Sequence, residues 1–237
     1  MSPTSYDALA PHFAEYARSR APYCDGVDRV ILSRLGSRGG AWLDVGSGDG
    51  GRAVRLARAA FATRLVLSDP SPRMAAQCRQ HEVSEVWQTT AEELPAYAAS
   101  FDVITGLWNV LGLVDGTARR IVALRRLRAL MAADGRLFVD VHNRYNARTA
   151  GPFLVSARML RDRLWPSEAN GSVAFTWTVG GERIPARGYL FTSGEVRRLF
   201  ALSGLRVVHQ CFIDYKTGER RGTWGGQMLF ELARDGT

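Results

Sequence analysis

The sequence predicts an α/β fold: a doubly wound, mostly parallel seven-stranded sheet with an N-terminal helical lid and an inserted antiparallel hairpin. Three observations carry this. Short apolar runs alternate with helical stretches between residues 41 and 142, the pattern of strands covered on both faces. The first of these strands runs into a glycine-rich turn that opens a helix. After about residue 150 the pattern gives way to two alternating β-like runs around Gly180 and Gly181, which reads as a hairpin. A chain of 237 residues suits one such domain, and neither a linker nor a repeat divides it. Its parts are N-terminal helices over 1–40, the ligand-binding core over 41–150, helix and hairpin over 151–192, and a C-terminal helix with strands over 193–237.

Each element has a local reason. Leu9, Phe13 and Tyr16 share a helical face, with Pro11 at the first turn, and a second helix over 25–35 buries Val27, Val30, Ile31 and Leu35 before stopping at Gly36. Strand 41–45 leads to a helix over 52–60, and strand 64–69 to a helix over 72–80. A short strand near Val86 and a loop at Pro95 precede strand 101–106, the arginine-rich helix 118–131 and strand 136–142. Beyond lie a helix over 153–163, the hairpin runs 173–179 and 187–191, and a helix over 193–203 that stops at Gly204. Two strands, near 205–214 and 227–233, close the chain.

Charge and cysteine usage narrow the function classes. The net charge is +8, and of the 31 basic residues only Lys216 is a lysine. In the densest basic run Ile121, Leu124, Leu127, Leu130 and Met131 recur at helical spacing, so the arginines between them belong to a solvated helix face. No aromatic residue interleaves them, and no nucleic-acid partner is expected. Cys24, Cys78 and Cys211 form neither a metal motif nor a disulfide framework; no metal is expected. The longest apolar candidate, 103–114, is interrupted by Gly106, Asn109 and Gly112, well short of the roughly 20 residues a membrane span needs. The first residues lack a basic segment followed by an apolar one, so a cytoplasmic protein without a membrane partner is expected.

The sharpest local feature is the segment 42–51, WLDVGSGDGG, in which Gly46, Gly48 and Gly51 satisfy G-x-G-x-x-G between a strand and a helix. Asp69 closes the next strand, where a carboxylate accepts both hydroxyls of a ribose. Nicotinamide enzymes use the same device. Asp44, two residues before the first glycine, favours a cationic or amino-bearing ligand and would repel a pyrophosphate.

In order and spacing these residues resemble the class I S-adenosylmethionine-dependent methyltransferases. The run from Asp44 to Gly50 is similar to that family's first motif, D/E-x-G-x-G-x-G, and 68–74 (SDPSPRM) to its second-strand motif. Residues 90–95 (TAEELP), 101–105 (FDVIT) and 131–140 (MAADGRLFVD) resemble the third, fourth and fifth strand regions. The resemblance implies S-adenosylmethionine as cofactor and S-adenosylhomocysteine as product. It puts Gly46, Ser47, Gly48 and Gly50 under the cofactor, Asp44 near its amino-acid portion and Asp69 on the ribose. Pro70 and Met74 would flank the adenine, Ala91 and Glu92 would border its edge, and Leu107 would contact the cofactor from the fourth strand. Thr90 stands where many members carry an aspartate for the adenine amino group.

The segments after the fourth and fifth strands, 106–112 (GLWNVLG) and 141–146 (VHNRYN), resemble those of glycine- and sarcosine-type N-methyltransferases. The D/N-P-P-Y/F sequence of nucleobase methyltransferases is absent, which points to a small-molecule acceptor. Tyr6, Trp108, Asn109, His142, Asn143, Trp177 and Arg187 are the candidate acceptor-binding residues, and His142 is the candidate general base. His12 and Tyr16 join Tyr6 in the candidate lid, and Tyr189, Tyr215 and Trp224 are further wall candidates; His81 and His209 receive no role. Aromatic rings with the amides of Asn109 and Asn143 suit a flat, polar heterocycle. The narrower resemblance is to N-methyltransferases of secondary metabolism, with a toxoflavin-type azapteridine as the implied acceptor. O-methylation, a nicotinamide-dependent dehydrogenase and an RNA methyltransferase stay open as alternatives, as do monomer and dimer.

Overall fold

Side chains of the first strand, β1 (Gly40–Val45), alternate between the sheet's two faces: Leu43 and Val45 enter one buried apolar cluster, Trp42 the other. That alternation is what a doubly wound sheet requires. The computed structural model describes residues 3–36, 39–95 and 101–236. Before β1 lie α1 (Pro3–Leu9), a 3-10 turn at Ala10–His12, α2 (Phe13–Arg18) and α3 (Ala21–Leu35). Pro11 therefore breaks the first expected helix in two, and α3 starts four residues before the expected position, with Pro22 in its first turn.

From β1 the chain winds through α4 (Gly51–Ala59), β2 (Ala62–Ser68), α5 (Pro72–Cys78), β3 (Glu85–Trp87) and β4 (Phe101–Gly106). It continues through α6 (Val110–Leu113), α7 (Thr117–Leu130) and β5 (Met131–Val141). Strand β5 begins five residues before the expected start, because Met131 pairs with Phe101 and both are buried. Then come α8 (Ala147–Ala150), α9 (Pro152–Leu164), the hairpin β6 (Ser172–Val179) and β7 (Glu182–Tyr189), α10 (Ser193–Leu202), β8 (Leu205–Ile213), β9 (Arg220–Arg221) and β10 (Gln227–Arg234).

The sheet order is β3-β2-β1-β4-β5-β10-β8-β9, with β10 antiparallel to both of its neighbours. The seven expected strands are present, and β9 adds an eighth of two arginines on the outer edge, where charge discourages further pairing. The hairpin forms a separate two-stranded sheet. Its turn, Gly180 and Gly181, has φ of 56° and 81°, the left-handed pair a tight hairpin requires. Strand β7 starts earlier than the 187–191 run suggested, and Pro185 is tolerated in it because a two-stranded sheet consists of edges.

A third apolar cluster joins the N-terminal helices to the hairpin: Leu9, Ala10, Phe13, Met74, Trp177, Ile184 and Ala186. Ser5 adds a hydrogen bond to the Pro185 carbonyl at 3.1 Å. Lid and hairpin are thus one packed roof. One arginine departs from the solvated face expected for α7: Arg120 is buried, its guanidinium 3.9 Å from the Tyr189 ring centre and 3.1 Å from Glu168. Among the described residues no helix is long and apolar enough to cross a membrane.

Candidate active site

The turn after β1 holds its shape through backbone donors aimed at the next strand. The N–H groups of Gly46 and Ser47 donate to the Ser68 carbonyl at 2.7 and 3.0 Å, and the Ser47 hydroxyl donates to the Asp44 carbonyl at 3.0 Å. Gly48 has φ of 58°, and a Cβ there would stand 2.4 Å from the Phe13 ring. Only glycine satisfies both demands.

Asp69, just past β2, accepts the N–H of Gly48 at 2.9 Å and that of Ser71 at 2.9 Å. Burial pushes its pKa up to about 6 despite those two bonds. Asp44 is buried as well and accepts the Thr105 hydroxyl; burial raises its pKa to about 6. Ser71 caps α5 by accepting the Met74 N–H at 3.1 Å, which fixes the segment that carries Asp69 and Pro70.

A cavity of about 740 Å³ opens at the carboxyl ends of β1, β2, β4 and β5, beneath the roof. Gly46, Gly48, Asp69, Pro70, Thr90, Ala91, Glu92 and Leu107 line it, together with Tyr6, Trp108, Asn109, His142 and Trp177. Its aromatic wall is continuous. Tyr16 stacks on Trp108 with centroids 5.1 Å apart and planes at 9°, Phe13 meets Trp108 edge-on at 5.9 Å, and Tyr6 meets Trp177 at 5.2 Å.

Trp108 and Asn109 both take left-handed backbone conformations, with φ of 65° and 64°, a strain that persists only where neighbours enforce it. Asp140 on β5 is the enforcer. It accepts the N–H groups of Trp108 and Asn109 and the hydroxyl of Tyr23, and its burial raises its pKa. Tyr215 completes the floor by accepting the Trp108 indole N–H at 3.2 Å.

His142 lines the same cavity, its ring edge-on to Tyr215 at 5.5 Å, and its Nε2 is buried with no partner. Burial and the nearby charge of Arg20 push its pKa down to about 4, so the ring is neutral at physiological pH.

Several expected site residues are placed elsewhere. Asn143 is turned away from the cavity: its amide donates to the carbonyls of Thr223 and Gly226, and its oxygen accepts the Tyr145 N–H. Arg187 is exposed on the opposite face of β7 from Ile184 and Ala186, which pack under the lid. Met74 is buried in the lid cluster and does not line the cavity. Asp44, Ser47 and Gly50 support the turn from within without lining the cavity. Asn109 does line it, but its amide is spent in both directions, accepting the His142 N–H at 3.0 Å and donating to the Tyr189 carbonyl at 3.3 Å. The two asparagines therefore do not supply the edge-reading amides the sequence suggested. Of the weaker candidates, Tyr16 and Tyr215 line the cavity, whereas His12, Tyr189 and Trp224 do not.

Phe13, Arg20 and Asp140 went unrecognised as site residues. Asp140 had a signal, an acid at the end of an otherwise apolar strand; Arg20, one of many arginines, had none.

A family model described as "Methyltransferase domain" matches residues 13–210. The chain belongs to this family, in the class I S-adenosylmethionine-dependent group. No curated protein matches it in sequence. Its fold is similar to that of solved methyltransferases. The CcbJ methyltransferase from Streptomyces caelestis shares 15% identity at a TM-score of 0.68, covering 90% of each chain. DhpI, solved as a DhpI-SAM-HEP complex, shares 19% at 0.65, covering 97% of this chain and 94% of its own. The sugar N-methyltransferase KedS8 from Streptoalloteichus sp. ATCC 53650 shares 16% at 0.61, covering 94% and 92%.

Proposed function

We propose that this protein transfers a methyl group from S-adenosylmethionine to a nitrogen of a small, flat heterocycle, with a toxoflavin-type azapteridine the first acceptor to test. The observation that carries the reading is Asp69, a buried carboxylate tied to the Gly48 turn that lines the same cavity as Trp108 and His142. The residues present fit the cofactor. Gly46 and Gly48 line the cavity, where a Cβ would run into Val110 and Phe13 respectively, and a cavity of about 740 Å³ is in the range that holds such a ligand with a small acceptor. When bound, the cofactor supplies an electrophilic methyl group on a sulfonium sulfur.

The chain's own residues do the rest. Asp69 keeps lone pairs free for ribose hydroxyls, and the charge of Asp44 beneath the turn favours an amino group there. Thr90, Ala91 and Glu92 border the adenine, with Pro70 and Leu107 against it. Trp108, Tyr16 and Trp177 offer aromatic surface to the acceptor ring, and the roof covers it from one side. Orientation of this kind is worth up to roughly 7–11 kcal/mol in favourable cases. His142 takes up at a ring nitrogen the proton that the acceptor nitrogen releases as it gains the methyl group. A base this weak suits a nitrogen nucleophile, whose lone pair is ready, better than a hydroxyl that must first be deprotonated. The similarity in fold to KedS8, a sugar N-methyltransferase, is in keeping with the nitrogen reading.

Calorimetric titration with S-adenosylhomocysteine, with NADH in parallel, tests the reading. The expected result is micromolar binding, about −8 kcal/mol, lost in Asp69→Ala and absent for NADH. Binding of NADH without the thioether would overturn it.

A further inference from the structure

Two arginines line the cavity without an ion pair among the described residues: Arg119, which is exposed, and Arg20, which is half-buried. Arg20, between α2 and α3, lies 5.2 Å from the Tyr215 ring centre and 5.8 Å from that of Tyr16, and its Nε is buried with no hydrogen-bond partner. Among the described residues it makes no ion pair. Other sheltered arginines find oxygen acceptors for at least part of the guanidinium: Arg128, Arg158 and Arg234 donate to backbone carbonyls, and three more form ion pairs. Arg52 is paired with Asp28, Arg120 with Glu168, and Arg144 with both Asp162 and Glu195.

Nor does a carboxylate of the site pair with it, although Glu92 and Asp115 also line the cavity. Asp140 is consumed by Tyr23 and the backbone of Trp108 and Asn109, and Asp69 accepts from Gly48 and Ser71 and pairs with no arginine. Glu15 also lines the cavity, but it is exposed and forms no ion pair with Arg20. A buried donor on a charged group is costly to leave unmade, by more than a neutral one. The aromatic faces of Tyr16 and Tyr215 hold the cation in place without satisfying its N–H groups. Among the residues lining the cavity, His142 Nε2 is also buried without a partner, and it belongs to the same stretch of wall, since both side chains contact Tyr215.

We propose that Arg20 is the specificity residue of the acceptor site and binds an oxyanion group on the acceptor, a carboxylate or a phosphate. The guanidinium fork pairs with such groups through parallel N–H donors. The acceptor's ring then lies along Tyr16 and Trp108, with its reactive nitrogen toward His142. With the amides of Asn109 and Asn143 spent on the fold, this charge is the polar group that lies beside Tyr16, Tyr215 and His142 in the wall. The inference rests on the methyltransferase reading, because it treats this part of the cavity as the acceptor's, and it favours a ring bearing an acidic group over a bare azapteridine, which has no carboxylate or phosphate.

The test uses ring probes of near-equal shape on protein saturated with S-adenosylhomocysteine: nicotinate and phenyl phosphate as anions, nicotinamide as the uncharged control. Calorimetry on the wild type is expected to show nicotinate at least about tenfold tighter than nicotinamide, equivalent to about 1.4 kcal/mol. Arg20→Gln should erase that preference with S-adenosylhomocysteine affinity unchanged, and Arg20→Lys should keep part of it. The relative affinity of phenyl phosphate and nicotinate tells which oxyanion the site prefers. Equal affinity for nicotinate and nicotinamide, a preference that survives Arg20→Gln, or no binding of any probe overturns the assignment. The wild-type comparison stands even if the variants fold poorly. Failure of S-adenosylhomocysteine itself to bind would instead overturn the methyltransferase reading.

Discussion

The carboxylate of Asp69 accepts the backbone N–H of Gly48 at 2.9 Å, joining the end of β2 to the glycine turn after β1 across 21 residues of sequence. The carboxylate is thus aimed before any ligand arrives, and no side-chain reorganisation is needed on binding. Asp69→Asn keeps size and one acceptor oxygen but loses the charge. It is expected to weaken S-adenosylhomocysteine by about tenfold, and Asp69→Ala by about a hundredfold, on the scale of charge-assisted hydrogen bonds. Calorimetry of the two variants checks the order; equal affinities for both and the wild type would remove Asp69 from the site.

The buried carboxylates also set a pH dependence. Asp44 and Asp69 both have pKa values raised to about 6, so each binds its proton more tightly folded than unfolded. Their contribution to stability is therefore greatest below about pH 4 and is lost as pH rises through about 6. Ligand affinity runs the other way. An amino group and ribose hydroxyls need the ionised acids, so S-adenosylhomocysteine should bind at least about tenfold more weakly at about pH 5 than at about pH 7.5. Titrations across that range should show proton release on binding near pH 6, and Asp69→Ala should reduce it. A flat profile would mean that the ligand does not meet these carboxylates.

Gly48 carries two constraints that can be separated. Its φ of 58° disfavours any side chain, and a Cβ would lie 2.4 Å from the Phe13 ring of the lid. Gly48→Ala should abolish detectable cofactor-product binding while the circular dichroism of the sheet persists. Adding Phe13→Ala removes the clash but leaves the left-handed strain, about 1–2 kcal/mol. The double variant should regain part of the affinity. If it recovers none, the turn itself is distorted and Phe13 is a bystander.

The sheet and the cofactor side were legible because they are local. Gly46 and Gly48 sit in a strand-turn-helix segment whose geometry is written within ten residues, and Asp69 ends the next strand. The acceptor side was less so, because its residues are defined by what their side chains meet far away. Asn143 had the right residue type at the right strand end, yet residues 223–227 take its N–H donors and Tyr145 its side-chain oxygen. Arg187 differs from its inward neighbours only by the parity of β7, and the sequence placed the start of that strand several residues late. Arg20 could be told from the chain's other arginines only by its buried, partnerless Nε in the cavity wall, which is a property of the fold and not of the sequence.

Asp140 offers a stability test independent of any ligand. Replacing it by alanine strands the Tyr23 hydroxyl and the N–H groups of Trp108 and Asn109 and releases two left-handed residues. Each stranded buried donor costs about 1–3 kcal/mol, partly recovered by relaxation. Urea unfolding should show Asp140→Ala less stable than the wild type by about 2–4 kcal/mol and Tyr23→Phe by about 1 kcal/mol. A change within about 0.5 kcal/mol for Asp140→Ala would mean that α6 and its flanks hold the strained pair unaided.

His142 separates a base from a wall. If it takes the acceptor's proton, His142→Ala should lower kcat by about a hundredfold and leave S-adenosylhomocysteine affinity unchanged. His142→Gln keeps a neutral polar group of similar bulk without a titratable nitrogen, so it should fare no better than alanine. A wall residue predicts the opposite pattern, with KM raised, kcat kept and glutamine close to the wild type. The pH profile adds a second readout. Because burial and Arg20 hold the imidazole's pKa at about 4, His142 stays neutral through the physiological range. At saturating cofactor and acceptor, kcat should therefore show no inflection from this ring between about pH 5.5 and 8. An inflection near pH 6.5 that disappears in His142→Gln would mean the ring is solvated during turnover, with the roof open when the proton moves.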